Sequence, residues 1–427
     1  MQITEDLIYF IWKFKYFQGS QLKTTDGASI QILQPGVRNI HSGPDFSNAR
    51  IRLGTELWAG NVEIHVMSSE WNQHGHQKDP AYNNVILHVV WSEDEKAMNQ
   101  SGAIVPSLVL KDKVDISLLS QYDYLMNSQK WIPCADPLAK ITDITKANWI
   151  QRLMAERLER KATDILTSLK LNQNDWESVC YQKLARSFGS QVNGEAMEML
   201  ARITPLSVLY KHRDQLWQIE SLLFGQSGLL EDSGLQDEYP VKLKNEYDFL
   251  KDKYHLTPMK KDQWKFLRMR PANFPTIHIA QLARILYQSD HVFSRLIAAK
   301  NVREIVHMID IRISNFWKDH YSFNPSDASK EKSLGKQTAQ NIVINTICPL
   351  LFSYGISTDQ EQYKEKALNL LSEMPAENNF ITRGWNYLGW KAMNGMDSQA
   401  LIQLKNEYCD HKRCLGCSIG HQIIRNT

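Results

Sequence analysis

Apolar positions follow two different periods along this chain. From residue 29 to 110 they alternate with polar positions, or run unbroken, in short stretches: SIQIL (29–33), NARIRL (48–53), GNVEIHV (60–66), NNVILHVVW (83–91) and AIVPSLVL (103–110). A period of two predicts strands, and the Gly, Asn and Asp residues between the runs supply turns. VILHVVW is apolar on both faces, which predicts a central strand covered on both sides. LGTELWAG predicts the hairpin that joins the second and third runs. Ahead of them, Thr4 with Glu5 and Asp6 predicts a helix N-terminus, and Leu7, Ile8, Ile11 and Phe14 continue at helical spacing. DISLLSQYDYLM (115–126) predicts a helix that closes the unit.

WIPCADPL (131–138), with two prolines, predicts a boundary. Beyond about 144 the apolar period changes to that of a helix. Trp149, Leu153, Leu158, Ile165 and Leu169 share one broad side of a long segment. Further helices are predicted near 175–188, 193–202, 206–224, 240–253, 277–287, 334–350, 360–373 and 396–408. FGQSGLLEDSG and RPANFPT read as loops between them. No fixed repeat period is present, which argues against a regular solenoid. The expected fold class is α+β: an N-terminal α/β domain with a mixed sheet over 1–130, then a large, mostly α-helical region over 140–427.

Composition narrows the partners. The 427 residues carry a net charge of +2, so no global field recruits nucleic acid or an acidic membrane. The sequence shows no apolar run of the roughly 18 residues a membrane span needs, and its start lacks a signal-peptide pattern. A cytoplasmic protein without a membrane partner is expected. Six cysteines, three of them crowded at the C-terminal end, fit metal or thiol chemistry better than a disulfide framework.

Five of the 13 histidines (His41, His65, His74, His76 and His88) fall between 41 and 88, beside Asp45, Glu63, Asp79 and Tyr82. Glu63 and His65 share one face of a strand. If 48–53 and 60–66 form a hairpin, Asp45 approaches Glu63, and two converging carboxylates suit Mg²⁺ or Mn²⁺. In this reading Asp45 and Glu63 hold the cation, His65 orients or deprotonates water, and His41 or His76 assists. The bland alternative is an aspartate capping a turn and a solvated strand face. His88, inside an apolar strand, reads as a core histidine whose hydrogen bonds are satisfied.

Pro44 and Asp45, a hairpin, then Glu63 and His65 on the next strand resemble the PD-(D/E)xK nuclease pattern. That resemblance implies a restriction-endonuclease-like sheet, metal-dependent phosphodiester cleavage and nucleic acid as partner. The chain departs from the pattern at His65, where the family has lysine; Arg50, Arg52 or Lys78 are the cations that would replace it. His74 and His76 with Asp79 resemble, out of register, the histidine element of dinuclear zinc hydrolases. The whole chain also resembles an uncharacterised bacterial family, domain of unknown function 2851. This second resemblance is carried by SGPDFSNARI, GNVEIHV, WNQHGHQKDPAYNNVILHVV, LFGQSGLL, RPANFPTIHIAQLA and YCDHKRCLGCSIG; it implies a two-part architecture and no particular activity.

A second candidate centre lies at the end. Cys409, Cys414 and Cys417 are spaced C-x4-C-x2-C, with His411 and His421 close by. A zinc site would recruit one of those histidines, and an iron–sulfur cluster would recruit Cys134, Cys180 or Cys348; redox-active thiols and ordinary helix-end cysteines are the other readings. KKDQWKFLRMRP (260–271) mixes cations with Trp264 and Phe266 as a nucleic-acid surface would, although core spacing of Trp264 and Leu267 favours a solvated helix face. No nucleotide fingerprint and no serine-nucleophile elbow is present. Three function classes therefore stand: a metal-dependent phosphodiesterase or nuclease-like enzyme, a non-catalytic helical binding or scaffold protein with a degenerate site, and a zinc hydrolase built on the N-terminal histidines.

Overall fold

In the computed structural model, residues 2–231, 237–323, 332 and 334–425 are described. The chain divides into two compact units, Met1–Trp149 with Leu404–Thr427, and Ile150–Gln403. This differs from a split into 1–130 and 140–427 in two respects. The C-terminal tail packs with the N-terminal unit, and the division falls inside a continuous helix rather than at the two prolines.

The first unit opens with helix α1 (Glu5–Phe14). Thr4 caps it, its hydroxyl accepting from the Leu7 amide, and Glu5 and Asp6 favour the positive end of the helix dipole. Leu7, Ile8, Ile11 and Trp12 are fully buried, and α1 packs on the third long strand of the sheet. The strands are β1 (Ile30–Gln34), β2 (Val37–Arg38), β3 (Phe46–Leu53), β4 (Glu56–Met67), β5 (Val85–Ser92) and β6 (Ser107–Val109). A short helix α2 (Glu70–Gln73) follows β4, and α3 (Ile116–Asn127), capped by Asp115, follows β6.

The sheet is mixed, in the order β1-β3-β4-β5-β6, with β2 paired to β3. The β1–β3 and β3–β4 pairs are antiparallel; β4–β5 and β5–β6 are parallel. The predicted hairpin is therefore real, and the apolar VILHVVW run is a strand with a parallel neighbour on each side. Gly60 is required at the point where β4 meets β5: a Cβ there would fall 2.5 Å from the Ile86 side chain and 2.6 Å from the Asn84 carbonyl oxygen.

Helix α4 (Asp143–Leu171) runs from the first unit into the second. The second unit is helical, with its longer members at Trp176–Phe188, Ser190–Ile203, Glu238–Tyr254, Pro275–Gln288 and Glu361–Glu373. The run predicted over 206–224 is two helices, Leu206–Lys211 and Leu216–Gln226. The end of the predicted loop FGQSGLLEDSG, residues 232–234, lies outside the described residues. The segment 260–271 is no helix face. Only Lys261–Gln263 and the start of Pro271–Asn273 are helical, each a single 3₁₀ turn, while Trp264 is buried and Leu267 is 87% exposed. The stretch Lys336–Ser357 passes, by length and composition, for a membrane-crossing helix, which the sequence had not led us to expect. Within this chain 72% of its apolar window is buried.

Candidate metal centre

β4 carries the centre because its two faces do different work. Alternate side chains point opposite ways along a strand. Val62 and Ile64 are fully buried on one face, while Glu63 and His65 occupy the other, at 5% and 1% exposure. In the parallel register Glu63 lies beside His88 of β5, which brings a second buried imidazole to the same face.

The segment after β4 covers that face. Trp71 of α2 lies tilted against His88 and edge-on to His76, with ring centroids 5.2 and 5.4 Å apart, and Tyr82 lies flat on His76 at 3.8 Å. Trp71 is wholly buried in a cluster with Tyr82, Val85, Ala97 and Val105, and its indole N–H donates to the Met98 carbonyl (2.8 Å). Gly75 separates the two loop histidines with φ +78°, a conformation that costs other residues about 1 kcal/mol or more. That left-handed turn lets His74 and His76 both reach back to His65.

The result is a tight donor set. One nitrogen from each of His65, His74 and His76 lies within 4.8 Å of the other two. His65 Nε2 is 3.2 Å from His74 Nδ1, and its Nδ1 is 2.8 Å from His88 Nε2. Glu63 Oε1 stands 3.2 Å from His76 Nε2 and 3.7 Å from His65 Nε2. His76 Nε2 is buried and makes no hydrogen bond, so it faces the carboxylate oxygen across a gap. A divalent ion fits such a place: imidazole nitrogens and a carboxylate oxygen are the donors that zinc and manganese accept.

Asp45 supports Glu63 rather than adding a free oxygen to the set. Its backbone N–H donates to Glu63 Oε2 (3.1 Å), and its own Oδ2 accepts from the Ile64 amide (2.9 Å). Tyr9 of α1 donates its hydroxyl to Asp45 Oδ1 (3.0 Å). Burial, then repulsion from Glu63, pushes the Asp45 carboxyl up to about 7. Burial and the neighbouring imidazoles hold His65 down at about 2, and His88 at about 3. Such low basicity suits a neutral ligand and makes His65 a poor base, against the water-deprotonating role expected of it.

The remaining residues named from sequence fall out of the set. His41 is exposed on the loop before Asp45, where its amide donates to the Asn39 side chain. Asp79 caps the turn Pro80–Tyr82 by accepting from the Ala81 amide (2.9 Å) and is exposed. Arg50, Arg52 and Lys78, offered in place of the missing lysine, are all exposed, and Arg52 is bonded to Gln31. His88 is buried as a core histidine would be, yet it is bonded to a donor of the centre, and its Nδ1 has no partner.

Three residues were missed. Tyr9 and Glu5 come from α1, where Glu5 reads only as a helix-start acid. The Glu5 carboxyl is held above its ordinary range, first by burial and then by Glu70. Glu70 accepts from the Val66 and Met67 amides (2.9 and 3.1 Å), which locks α2 to the end of β4. The one sequence signal of Glu5 and Glu70 is charge at a helix start, which is too common to single them out, and Tyr9 has none.

No curated protein and no solved structure matches this chain. A family model described as a protein of unknown function, DUF2851, matches residues 5–380. The match takes in parts of both units and every residue of the histidine centre; the tail cysteines lie beyond its end. The chain belongs to the DUF2851 family.

Proposed function

We propose that this protein is a metal-dependent hydrolase of phosphodiesters, nuclease-like in the arrangement of its site. The observation that carries the reading is the convergence of His65, His74 and His76 on Glu63, with one imidazole nitrogen left buried and unbonded. The placement of Asp45 at the entry of β3, and of Glu63 and His65 on the antiparallel partner β4, supports the phosphodiester class. It is the disposition of the two acids in the PD-(D/E)xK pattern, with His65 in the place of the lysine.

The donor set favours Mn²⁺ or Zn²⁺ over Mg²⁺, because three of the four donors are imidazoles and Mg²⁺ prefers oxygen. Bound there, such an ion supplies Lewis acidity and acidifies water. The chain's own groups do the rest. His88 accepts at Nε2 the proton that His65 must keep on Nδ1 to leave Nε2 free. The Asp45 amide fixes Glu63 through Oε2, so that Oε1 stays with the histidines. Asp45, itself held by the Ile64 amide and the Tyr9 hydroxyl, keeps Glu63 in position.

A second reading is a zinc hydrolase with a substrate other than a phosphodiester, favoured by the nitrogen-rich set alone. Titration of the metal-free protein with Mn²⁺ and Zn²⁺, followed by assay on bis(p-nitrophenyl) phosphate, single-stranded DNA and p-nitrophenyl acetate, separates the two. Metal-dependent cleavage of the diesters, lost in Glu63→Ala, is expected. Ester cleavage without diester cleavage favours the second reading. Failure of both ions to bind with Glu63 and His76 intact sinks both.

A further inference from the structure

The tail after residue 404 belongs to the compact unit that holds the sheet, and specific contacts fix it against residues 126–131. Lys412 donates from Nζ to the Met126 carbonyl (2.6 Å), and the Lys405 ammonium lies 5.2 Å from the centre of the Trp131 ring. Trp149 meets Tyr408 edge-on, ring centroids 5.3 Å apart. A wide helical turn over Leu404–Cys409 leads into a short 3₁₀ turn, Cys414–Gly416, closed by the Cys417 amide on the Cys414 carbonyl (3.2 Å). Gly420 lets the last helix, Ser418–Arg425, come up against that turn, because a Cβ there would fall 2.2 Å from the Cys414 oxygen.

This docking brings Cys134, on the turn between α3 and α4, to the three tail cysteines. Cys134 lies close enough to feel the charge of Cys417 and Cys414, and Cys409 feels Cys134, Cys417 and Cys414. None of the four is in a disulfide; Cys134, Cys414 and Cys417 are buried, and Cys409 is half-buried. Cys180 and Cys348, the other upstream candidates, lie in the second unit. The nearby histidines are otherwise placed: His421 is bonded to the Tyr16 hydroxyl (2.6 Å) among Phe10 and Phe14, and His411 is exposed. Four thiols assembled from both ends of a unit make a complete soft-metal donor set with no histidine required.

We propose that Cys134, Cys409, Cys414 and Cys417 form a four-thiolate site for an iron–sulfur cluster, which staples the C-terminal tail to the α3–α4 turn. Iron is preferred to zinc because the C-x4-C-x2-C run with a remote fourth cysteine is a cluster-binding spacing. On assembly each thiol loses its proton to solvent as its sulfur bonds to iron, and the iron and sulfide come from the cell's assembly chemistry. The site is separate from the histidine centre and does not depend on what that centre does.

The test is elemental analysis of the full-length protein isolated without oxygen. Iron and acid-labile sulfide in matching amounts, above one per chain, with visible charge-transfer absorption, are expected. Cys134→Ser is the decisive variant and should lose both, while Cys180→Ser keeps them. Hydrogen exchange over 404–425 should speed up in Cys134→Ser while the strands 46–92 stay protected, which separates loss of the staple from loss of the fold. Metal-free wild-type protein, or a Cys134→Ser variant with its full iron content, overturns the site. One zinc per chain and no sulfide overturns the choice of iron.

Discussion

His76 Nε2 stands 3.2 Å from Glu63 Oε1, both atoms buried, and no hydrogen bond joins them. Two electron-rich atoms held face to face in a dry site repel unless a proton or a cation sits between them. Truncating either should therefore weaken Mn²⁺ or Zn²⁺ binding by about 100-fold or more, since a direct ligand matters at least as much as its support. Isothermal titration of Glu63→Ala and His76→Ala against the wild type reads this. His41→Ala, altering an exposed loop ring, should bind as the wild type does. Equal affinity in all three variants would show that the cation sits elsewhere.

How much of this was legible in the sequence depends on whether the signal was local. The hairpin that brings Asp45 to Glu63 was readable, because period-two patterning fixes faces and a short Gly-containing connection fixes pairing. The mixed sheet followed by helices was readable for the same reason. The role of Asp45 was not, since only the fold shows that its carboxylate is occupied by the Ile64 amide and the Tyr9 hydroxyl. The choice between His41 and His76 as helper was equally hidden. Both lie in loops, and the left-handed turn at Gly75 that delivers His76 leaves only a glycine in the sequence. Helices such as Val292–Ala298 and Val302–Ile309 went unseen because they are short and their apolar periods cover two turns at most. Cys134 was one of three interchangeable candidates, and its selection is a long-range fact of packing.

His88 offers a milder perturbation of the same centre. It touches no open position but holds the Nδ1 side of His65 at 2.8 Å. His88→Leu should keep the fold and lower metal affinity by roughly 10- to 100-fold, the usual effect of losing a supporting partner. Titration alongside thermal unfolding distinguishes this from collapse. An unchanged affinity would mean that His65 needs no such support.

Gly75 tests whether backbone conformation delivers the loop histidines. A Cβ there meets nothing within 4 Å, so Gly75→Ala introduces strain at φ +78° without a clash. A destabilisation of about 1–2 kcal/mol is expected if the turn is kept, by denaturant unfolding. If the turn instead relaxes, stability is nearly retained and metal affinity drops. Either result differs from the neutral outcome expected of an alanine in an ordinary surface turn.

In the helical unit, Glu220 of Leu216–Gln226 gives a pH dependence independent of both candidate metal sites. Its side chain is fully buried; Oε2 accepts from the Tyr239 and Ser314 hydroxyls, and Oε1 has no partner. Burial pushes its carboxyl up to about 7 from an ordinary 4.5, against the lowering influence of Tyr239, Ser314, Trp317 and Arg284. Between these values the folded state holds a proton that the unfolded state has released. Its contribution to stability is therefore fully present below about pH 4.5 and is lost as pH rises through 7. The difference amounts to about 3 kcal/mol, taking 1.36 kcal/mol per unit. Glu220→Gln keeps the acceptor for Tyr239 and removes the titration, so it should be close to wild type at pH 5 and more stable by about 2–3 kcal/mol at pH 8. Urea unfolding of both proteins at the two pH values measures this. A stability difference that stays constant with pH would mean that Glu220 does not change protonation on unfolding.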